Sequence, residues 1–425
     1  DVLEARDRPQ VALLVEVDRV VVAELSIEPN DPLFNDNPGG FLRPPEQHQW
    51  GSYSLNLPSA WNWHKGHAYV GVVDTGIDTD HPDLRPFDSL GNFIGGNFRA
   101  HFSRDYGYAD DNVDEGQQQG TISPTIAGHG THVAGIVAAT PNNAKGVAGA
   151  CWNCSLIVSK VSRIRSDGAN VATSKASIVD GINGAIDRGA QVLNLSLGFR
   201  PTDPDRPNCT TTPLDPFCQA LSLMVQRDVF MAAAAGNDAS SASDWPAVDP
   251  RVLGVGGIEP DGSFWNDCPG SECGSNWDPS QVVAPAKQIL STFYVGLPYF
   301  QSFPCYDGFD GAVDGYGLCT GTSMSSPYVA GSAGILRSAN PLLTKANIES
   351  ILSTHLQNPV GWNTAHGKGK PNVLTATRAA LGDHLFIRLR ITTPPGSVAS
   401  TFPILPLGRP PYSARRNRLP RRCLN

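Results

Sequence analysis

The stretch Gly321-Thr322-Ser323-Met324-Ser325-Ser326-Pro327 places a serine among small residues, directly ahead of the alanine- and glycine-rich run 328–339. The run predicts a helix, and Pro327 suits its first turn, where no backbone N–H is needed. The N-terminus of a helix carries unpaired N–H groups and the positive end of a dipole, so negative charge developing beside Ser323 would be stabilised. Taken alone, the stretch is a serine-rich helix cap.

Apolar runs elsewhere in the chain predict strands that are buried on both faces. They are residues 68–73, 156–161, 192–197, 229–235 and 252–255, and helical stretches lie between them at 131–139, 177–188 and 219–227. Strands that alternate with helices predict an α/β fold of three layers, with a mostly parallel central sheet and helices on both faces. Functional groups are then expected at the carboxyl ends of the strands.

Two further polar stretches give the serine a context. Val72-Val73-Asp74-Thr75-Gly76-Ile77-Asp78 puts a carboxylate at a strand end, and Gly128-His129-Gly130-Thr131-His132-Val133-Ala134-Gly135 puts a histidine at a helix start. Each has a plain structural interpretation, as a turn Asp or a capping His. In the order Asp, His, Ser, the three stretches match the subtilisin-type triad. From about residue 30 to residue 381, the sequence resembles the subtilase family of serine endopeptidases.

The resemblance implies a role for each motif residue. Ser323 would attack the scissile carbonyl, His129 would accept and later return the proton, and Asp74 would hold the imidazole tautomer. Asn237, which follows Ala234-Ala235-Gly236, would stabilise the oxyanion with its side-chain amide, together with the Ser323 N–H. The second histidine of the motif is expected to have a packing role.

The resemblance also implies the walls of a substrate cleft. Leu195-Ser196-Leu197-Gly198 would bind an extended substrate backbone, and with Ala234-Ala235-Gly236 it would form the S1 pocket. Because these wall residues are small, broad specificity is expected. Asp244 precedes Trp245-Pro246 near the expected floor of S1, where a carboxylate would favour a basic P1 residue and a narrower processing role. A solvated loop aspartate is the alternative.

Two acidic regions are candidate Ca²⁺ sites. Three segments resemble the calcium-binding segments of thermitase-like subtilases and offer the hard oxygen ligands that Ca²⁺ prefers. These are the carboxylates of Asp31 and Asp83, the amide oxygen of Asn143, and the carbonyls of Thr140, Lys145 and Val147. Residues 35–46 look inserted relative to that pattern. The second candidate is the loop Asp110-Asp111-Asn112-Val113-Asp114-Glu115, for which a merely solvated acidic loop is the favoured alternative.

The net charge of −8 is unevenly distributed over the 425 residues. Residues 383–425 carry eight Arg and one acidic residue, which leaves the rest of the chain strongly acidic. An acidic body argues against nucleic-acid binding and is compatible with bound cations. Seven prolines predict that residues 383–425 form a disordered tail. No apolar run approaches the ~18 residues that a membrane span needs.

Nine cysteines fall mostly in close pairs, which indicates local disulfides and an oxidising, extracellular or periplasmic compartment. The pairs are Cys151/Cys154, Cys209/Cys218, Cys268/Cys273 and Cys305/Cys319, with Cys423 left over. Cys151-Trp152-Asn153-Cys154 could instead be a redox motif or half a zinc site. Zinc is not expected, because the sequence has no second CxxC or CxxH partner.

Three regions are expected along the chain. Residues 1–28 resemble the end of an inhibitory propeptide, 29–382 a catalytic domain, and 383–425 the tail. Asp1 shows no initiator Met or signal-peptide pattern, so we expect a processed or truncated N-terminus, and maturation that removes roughly the first 25–45 residues.

The function expected from these features is that of a secreted, monomeric endopeptidase. It would act on polypeptides and be inhibited by its own propeptide, with no nucleic-acid partner. A catalytically silent binding protein on the same scaffold is the alternative. The intact Asp74, His129, Ser323 and Asn237 argue against it.

Overall fold

The computed structural model describes residues 26–34, 48–85, 96–115, 128–164, 171–267, 274–295, 301–302, 305–306, 315–358 and 361–382. Most of the predicted propeptide remnant lies outside these ranges. So do residues 35–46, the predicted tail, the predicted pair Cys268/Cys273, and Cys423.

Eight α-helices and thirteen strands are present in the described part of the chain. The helices are α1 (Trp50–Ser54), α2 (Leu57–Ala60), α3 (His129–Ala138), α4 (Lys175–Asp187), α5 (Pro216–Gln226), α6 (Thr322–Ala339), α7 (Lys345–Thr354) and α8 (Val373–Leu381). The strands are β1 (Tyr69–Asp74), β2 (Arg104–Asp105), β3 (Ser155–Lys160), β4 (Ser162–Ile164), β5 (Val171–Thr173), β6 (Val192–Leu195), β7 (Phe230–Ala234), β8 (Leu253–Ile258), β9 (Val282–Pro285), β10 (Ile289–Thr292), β11 (Gln301–Ser302), β12 (Cys305–Tyr306) and β13 (Tyr316–Cys319).

A parallel sheet of seven strands forms the centre of the fold, in the order β2-β3-β1-β6-β7-β8-β9. Its longer strands are buried and mostly apolar because helices cover both faces. Two successive residues of β1 show this: Val72 packs in the apolar cluster that contains α3 and α6, and Val73 in the cluster that contains α4 and α5. The predicted three-layer α/β architecture is confirmed.

The strand order places a crevice between the carboxyl ends of β1 and β6. From β1 the chain moves to β3 on one side, and from β3 it crosses to β6 on the other. Such reversal points are the usual ligand sites of open α/β sheets. Asp74 ends β1, and Ser196 directly follows β6, so both lie at this crevice.

Helix α6 begins at Thr322 rather than at residue 328, so the prediction that Pro327 occupies its first turn is wrong. A proline inside a helix cannot donate to the carbonyl four residues earlier, which here belongs to Ser323. Ser196 Oγ donates to that carbonyl at 2.7 Å and replaces the missing bond. The proline is therefore tolerated because a neighbouring segment supplies the donor.

Small residues let α6 approach its neighbours closely. A Cβ atom on Gly334 would lie 2.7 Å from Cys154 Sγ, and one on Gly331 would lie 2.8 Å from Ala150 Cβ. Cys151–Cys154 is one of three disulfides in the described residues, with Cys209–Cys218 and Cys305–Cys319. None of the described helices has the length and apolar character needed to cross a membrane.

Candidate active site

Asp74 and His129 meet at the carboxyl edge of the sheet. Asp74 is the last residue of β1 and is 1% exposed, and His129 is the first residue of α3. Asp74 Oδ1 lies 2.7 Å from His129 Nδ1 and also accepts the Thr75 N–H at 2.7 Å. A carboxylate at Nδ1 favours the tautomer with its proton there and leaves Nε2 available as a base.

The electrostatic environment favours a proton on His129. Burial lowers the pKa of His129, but the carboxylates of Asp74 and Glu115 outweigh burial, so the pKa is raised above its ordinary value. The side chain keeps 21% of its surface exposed. The ring is therefore accessible from the crevice, and the charge it gains on accepting a proton is stabilised.

Ser323 is the second residue of α6 and lies at the positive end of that helix. Its Oγ donates to the Ser196 carbonyl at 3.2 Å. It forms no hydrogen bond with His129, although both residues are within the described part of the chain. Rotation about one side-chain torsion redirects Oγ, and catalytic hydrogen bonds are often completed only when substrate binds. The structure thus pairs two of the three predicted triad residues directly.

Asn237 follows β7 and faces the start of α6. Its Oδ1 accepts hydrogen bonds from the N–H and the hydroxyl of Thr322, both at 2.9 Å, and these two donors identify the oxygen end of the amide. Its Nδ2 is left as a donor with no hydrogen bond to any described residue. Thr322, which the sequence did not single out, therefore orients Asn237; its position next to Ser323 was the available signal.

The two backbone segments predicted as substrate walls are hydrogen-bonded to each other. β6 ends two residues earlier than predicted, so Ser196-Leu197-Gly198 lies beyond the sheet. Phe199 and Trp245 exchange backbone hydrogen bonds of 2.7 and 2.9 Å, and the Asp244 N–H donates to the Ala235 carbonyl at 2.7 Å. These bonds join the segment after β6 to the segment after β7, and their use as substrate walls stays a prediction.

The Asp244 carboxyl group lies against Gly236. A Cβ atom on Gly236 would be 2.6 Å from Asp244 Oδ2, and the φ of +103° at this position also favours glycine. Asn276 Nδ2 donates to the carboxyl group at 3.3 Å. No Lys, Arg or His nitrogen of the described residues lies within ion-pair distance of it. Burial raises the pKa of Asp244 to about 6, and the nearby Asp238 adds to the effect.

Asp31 and Asp83 converge on the loop 140–147. Asp31 accepts the Asn142 N–H at 2.7 Å, and Asp83, which is fully buried, accepts the Val147 N–H at 2.8 Å. Burial, with a smaller contribution from Asp31, raises the pKa of Asp83 to about 8. Within the described ranges no cationic side chain pairs with either carboxylate. Burial and the neighbouring carboxyl group thus disfavour the charged form of Asp83, and a bound cation would relieve both effects.

The other predicted metal ligands in this loop differ in orientation. Asn143 Nδ2 donates to Asp83 at 2.7 Å, while Asn143 Oδ1 accepts the Lys145 N–H at 2.8 Å. The amide oxygen predicted as a ligand is therefore turned towards its own loop. Thr140 Oγ1 is buried without a hydrogen-bond partner. The two carboxylates fit a cation site, and Asn143 would have to reorient to complete it.

The acidic loop 110–115 spreads its carboxylates over different partners. Asp114 accepts the Thr79 hydroxyl at 2.8 Å, Asp111 is largely exposed, and Glu115 is buried against the start of α3. In the residues that the structure covers, no cluster of three His, Cys, Asp or Glu side chains could hold a metal ion. The sequence named Glu115 only as a member of this acidic loop, and its place against the start of α3 was not predicted, because it belongs to no motif.

His132, the second histidine of its motif, has the packing role predicted for it. Its Nε2 lies 2.9 Å from the Ile289 carbonyl and 3.2 Å from the Gly317 carbonyl, inside the core. Burial lowers the pKa of His132 to about 3, so the ring is neutral and donates to these carbonyls.

Comparisons with known proteins point to one family. The model of the subtilase family matches residues 65–369. The chain is 29% identical over 351 residues to thermitase of Thermoactinomyces vulgaris, covering 82% of this chain and 99% of thermitase. It is 32% identical over 293 residues to a thermophilic serine proteinase of Bacillus sp. (strain AK1), covering 68% of this chain but 58% of that protein.

A solved structure gives the same answer. A protease of Pseudoalteromonas arctica PAMC 21717 has a similar structure, with a TM-score of 0.60 and 26% sequence identity. The match covers 83% of this chain and 99% of the protease chain. The family match spans Asp74, His129, Asn237 and Ser323. The chain therefore belongs to the subtilase family and is a serine-type endopeptidase.

Proposed function

We propose that the enzyme hydrolyses peptide bonds through a triad of Asp74, His129 and Ser323. The observation that carries this proposal is the 2.7 Å contact between Asp74 Oδ1 and His129 Nδ1, made by a buried carboxylate at the strand end. The contact holds the imidazole with Nε2 free, and it stabilises the charge that the ring acquires when it takes a proton.

The reaction has two half-reactions that use the same groups. Ser323 Oγ leaves the Ser196 carbonyl and bonds to the scissile carbonyl carbon while its proton passes to His129 Nε2. When the tetrahedral intermediate collapses, the C–N bond breaks and His129 gives that proton to the departing amine. Water then attacks the acyl-enzyme in the same way, which releases the carboxylic acid and restores Ser323.

Two donors are available for the oxyanion that forms in each half-reaction. Thr322 holds the oxygen end of Asn237, so Nδ2 is oriented before the charge develops. The Ser323 N–H belongs to the first turn of α6, where no helical acceptor exists. Donors that are already in place need no reorganisation during the reaction, which is the main source of their benefit.

The substrate is a polypeptide bound in extended form along Ser196-Leu197-Gly198, with Ala234-Ala235-Gly236 as the facing wall. Recognition through the backbone gives broad specificity outside the P1 position. We place the enzyme outside the cytoplasm, since three disulfides form among the described residues. A monomer inhibited by its own propeptide remains our proposal, as does the division at residues 28 and 382.

Ser323→Ala should abolish both peptide hydrolysis and labelling by a fluorophosphonate probe, because no nucleophilic hydroxyl remains. The measurement is in-gel fluorescence of the labelled protein beside an assay with a fluorogenic peptide. Ser325→Ala is the matched control: its Oγ donates to the Ala284 carbonyl in the core, and the variant should still be labelled. Folded wild-type protein that takes up no label would contradict the triad and favour the silent binding protein.

We also propose a structural Ca²⁺ bound by Asp31 and Asp83. The support is the buried pair of carboxyl groups beside the loop 140–147, neither of which pairs with a cationic side chain among the described residues. The carbonyls of Thr140, Lys145 and Val147 in this loop are the further candidate ligands. When bound, the ion supplies positive charge that holds this loop to the rest of the domain. Chemistry at Ser323 does not involve it.

EDTA should lower the thermal unfolding midpoint of the Ser323→Ala protein, a background that prevents self-digestion. A cation present at 100 times its dissociation constant stabilises by about 2.7 kcal/mol, which corresponds to roughly 3–4 °C for a domain of this size. Asp83→Asn should remove the response to EDTA. Asp111→Asn, a change at a side chain that is 84% exposed, should keep it. An unchanged midpoint in EDTA would rule the site out.

A second candidate function, cleavage after basic residues, is favoured by the position of Asp244. Its carboxyl group touches Gly236 of the predicted S1 wall and has no ion-pair partner among the described residues. Arg200 lies nearby but pairs with Asp238 at 3.3 Å. A P1 arginine or lysine would supply the missing cation and form charge-assisted hydrogen bonds. We therefore propose that Asp244 narrows the P1 preference of an otherwise broadly specific enzyme.

Asp244→Asn should lower kcat/KM for a P1-Arg peptide by about 10- to 100-fold at pH 8, the usual value of a hydrogen bond to a charged group, and leave a P1-Leu peptide nearly unchanged. Because the pKa of Asp244 is about 6, the carboxyl is neutral below that value, and the wild-type preference for arginine should fade as pH drops through 6. Asp238→Asn is the control, and it should lower kcat/KM for the P1-Arg peptide less than Asp244→Asn does. Equal cleavage after Leu and Arg by the wild type would remove Asp244 from this role.

A further inference from the structure

Glu115 connects the two segments that carry the Asp–His pair. It is 5% exposed and lies on the loop that precedes α3. Its Oε2 accepts the Gly128 N–H at 3.1 Å, and its Oε1 accepts the Gly130 N–H at 3.1 Å. The residues on both sides of His129 are therefore bound to one carboxylate, at the positive end of a helix where negative charge is favoured.

The same carboxyl group also reaches the turn after Asp74. Thr75 Oγ1 hydrogen-bonds to Glu115 Oε1, and it accepts the Gly130 N–H at 2.8 Å. Thr131 Oγ1 donates to Glu115 Oε2 while accepting the Asp78 N–H at 2.8 Å. Each of the two carboxyl oxygens accepts at least one backbone N–H, which is the arrangement expected of an ionised carboxylate.

We propose that Glu115 is a positioning residue of the catalytic pair: it fixes His129 relative to Asp74 and places a second negative charge behind the imidazole. The inference rests on the proposed role of His129 as the catalytic base. Glu115 acts through the backbone at Gly128 and Gly130 and through the charge it adds, because none of its contacts is with the substrate walls.

The charged groups around Glu115 leave its effect on His129 in place. The Lys160 stem and the Glu115 side chain both border Gly76, but Lys160 Nζ is bound to Asp105 at 3.1 Å and to the Asp114 carbonyl at 2.8 Å. Asp74, Asp114 and Tyr294 are the other titratable neighbours, and burial together with the acidic groups raises the pKa of Tyr294, so it stays neutral.

The pKa of Glu115 depends on two opposed effects. Burial and, to a smaller extent, the Asp74 carboxylate raise the pKa of Glu115, whereas the hydrogen bonds from Thr131 and Thr75 lower it. The net effect is a raised pKa. Glu115 in turn raises the pKa of His129. Removal of the Glu115 charge therefore lets His129 remain a free base at lower pH.

The test is the pH dependence of kcat and KM in Glu115→Gln. The amide matches the carboxylate in size but carries no charge. Its NH₂ group replaces one of the two accepting oxygens, so a donor would face a backbone N–H donor. We expect kcat to fall at least about 10-fold with little change in KM, and the acid limb of the kcat profile to move to lower pH by about half a unit or more, as loss of a nearby charge requires. A purely structural role would lower activity without moving that limb.

Two variants separate the possibilities. Glu115→Asp keeps the charge but withdraws the oxygens by one methylene, so kcat should fall while the acid limb stays close to wild type; this variant decides the matter if Glu115→Gln does not fold. Asp249→Asn also removes a buried carboxylate, one that binds Arg251 away from the crevice, and should leave the profile unchanged.

An unshifted acid limb in Glu115→Gln, or full activity in Glu115→Asp, would overturn the positioning role. Failure of the triad itself is distinguishable, because activity would then survive Ser323→Ala. In that case the pH limb would not report on His129, and the inference would fall with the proposed function.

Discussion

The hydrogen bond between Asp74 and His129 depends on how the whole sheet is built. Asp74 is held by its place at the end of β1, in the middle of seven parallel strands, and His129 by its place at the start of α3. A carboxylate in such a buried position would be costly to ionise alone. His129 Nδ1 and the Thr75 N–H both contact Asp74 Oδ1, so the bond holds the imidazole at the sheet edge with Nε2 turned away from the carboxylate.

The serine depends on a different set of contacts with the same sheet edge. Pro327 removes a helical hydrogen bond from the Ser323 carbonyl, and the hydroxyl of Ser196 replaces it. One backbone segment therefore anchors the start of α6 and also forms the predicted substrate wall. Thr322 links the same helix start to Asn237. The residues proposed as nucleophile, oxyanion donor and substrate wall are thus held by short hydrogen bonds among neighbouring residues.

The sequence predicted the parts of this site that repeat a pattern. Continuous apolar runs indicated the buried strands, and three motifs in order indicated the residues that resemble a triad. It did not show the start of α6, because a proline six residues into a helix is unusual and needs an outside donor. It did not show Glu115, since a carboxylate in an acidic loop has the same local signal whether it is solvated or buried. The orientation of Asn143 is also a three-dimensional property with no sequence signal.

Whether Asp74, His129 and Ser323 act as one unit is best measured by comparing kcat/KM for the three single alanine variants with that of the triple variant. Groups that work together give losses of activity that do not add. The activity of His129→Ala or of Ser323→Ala alone should therefore fall about as far as that of the triple variant, and the activity of Asp74→Ala somewhat less. In the subtilisin triad the corresponding loss is roughly 10⁶-fold in kcat. Losses that multiply, with the triple variant far below every single one, would contradict a shared mechanism.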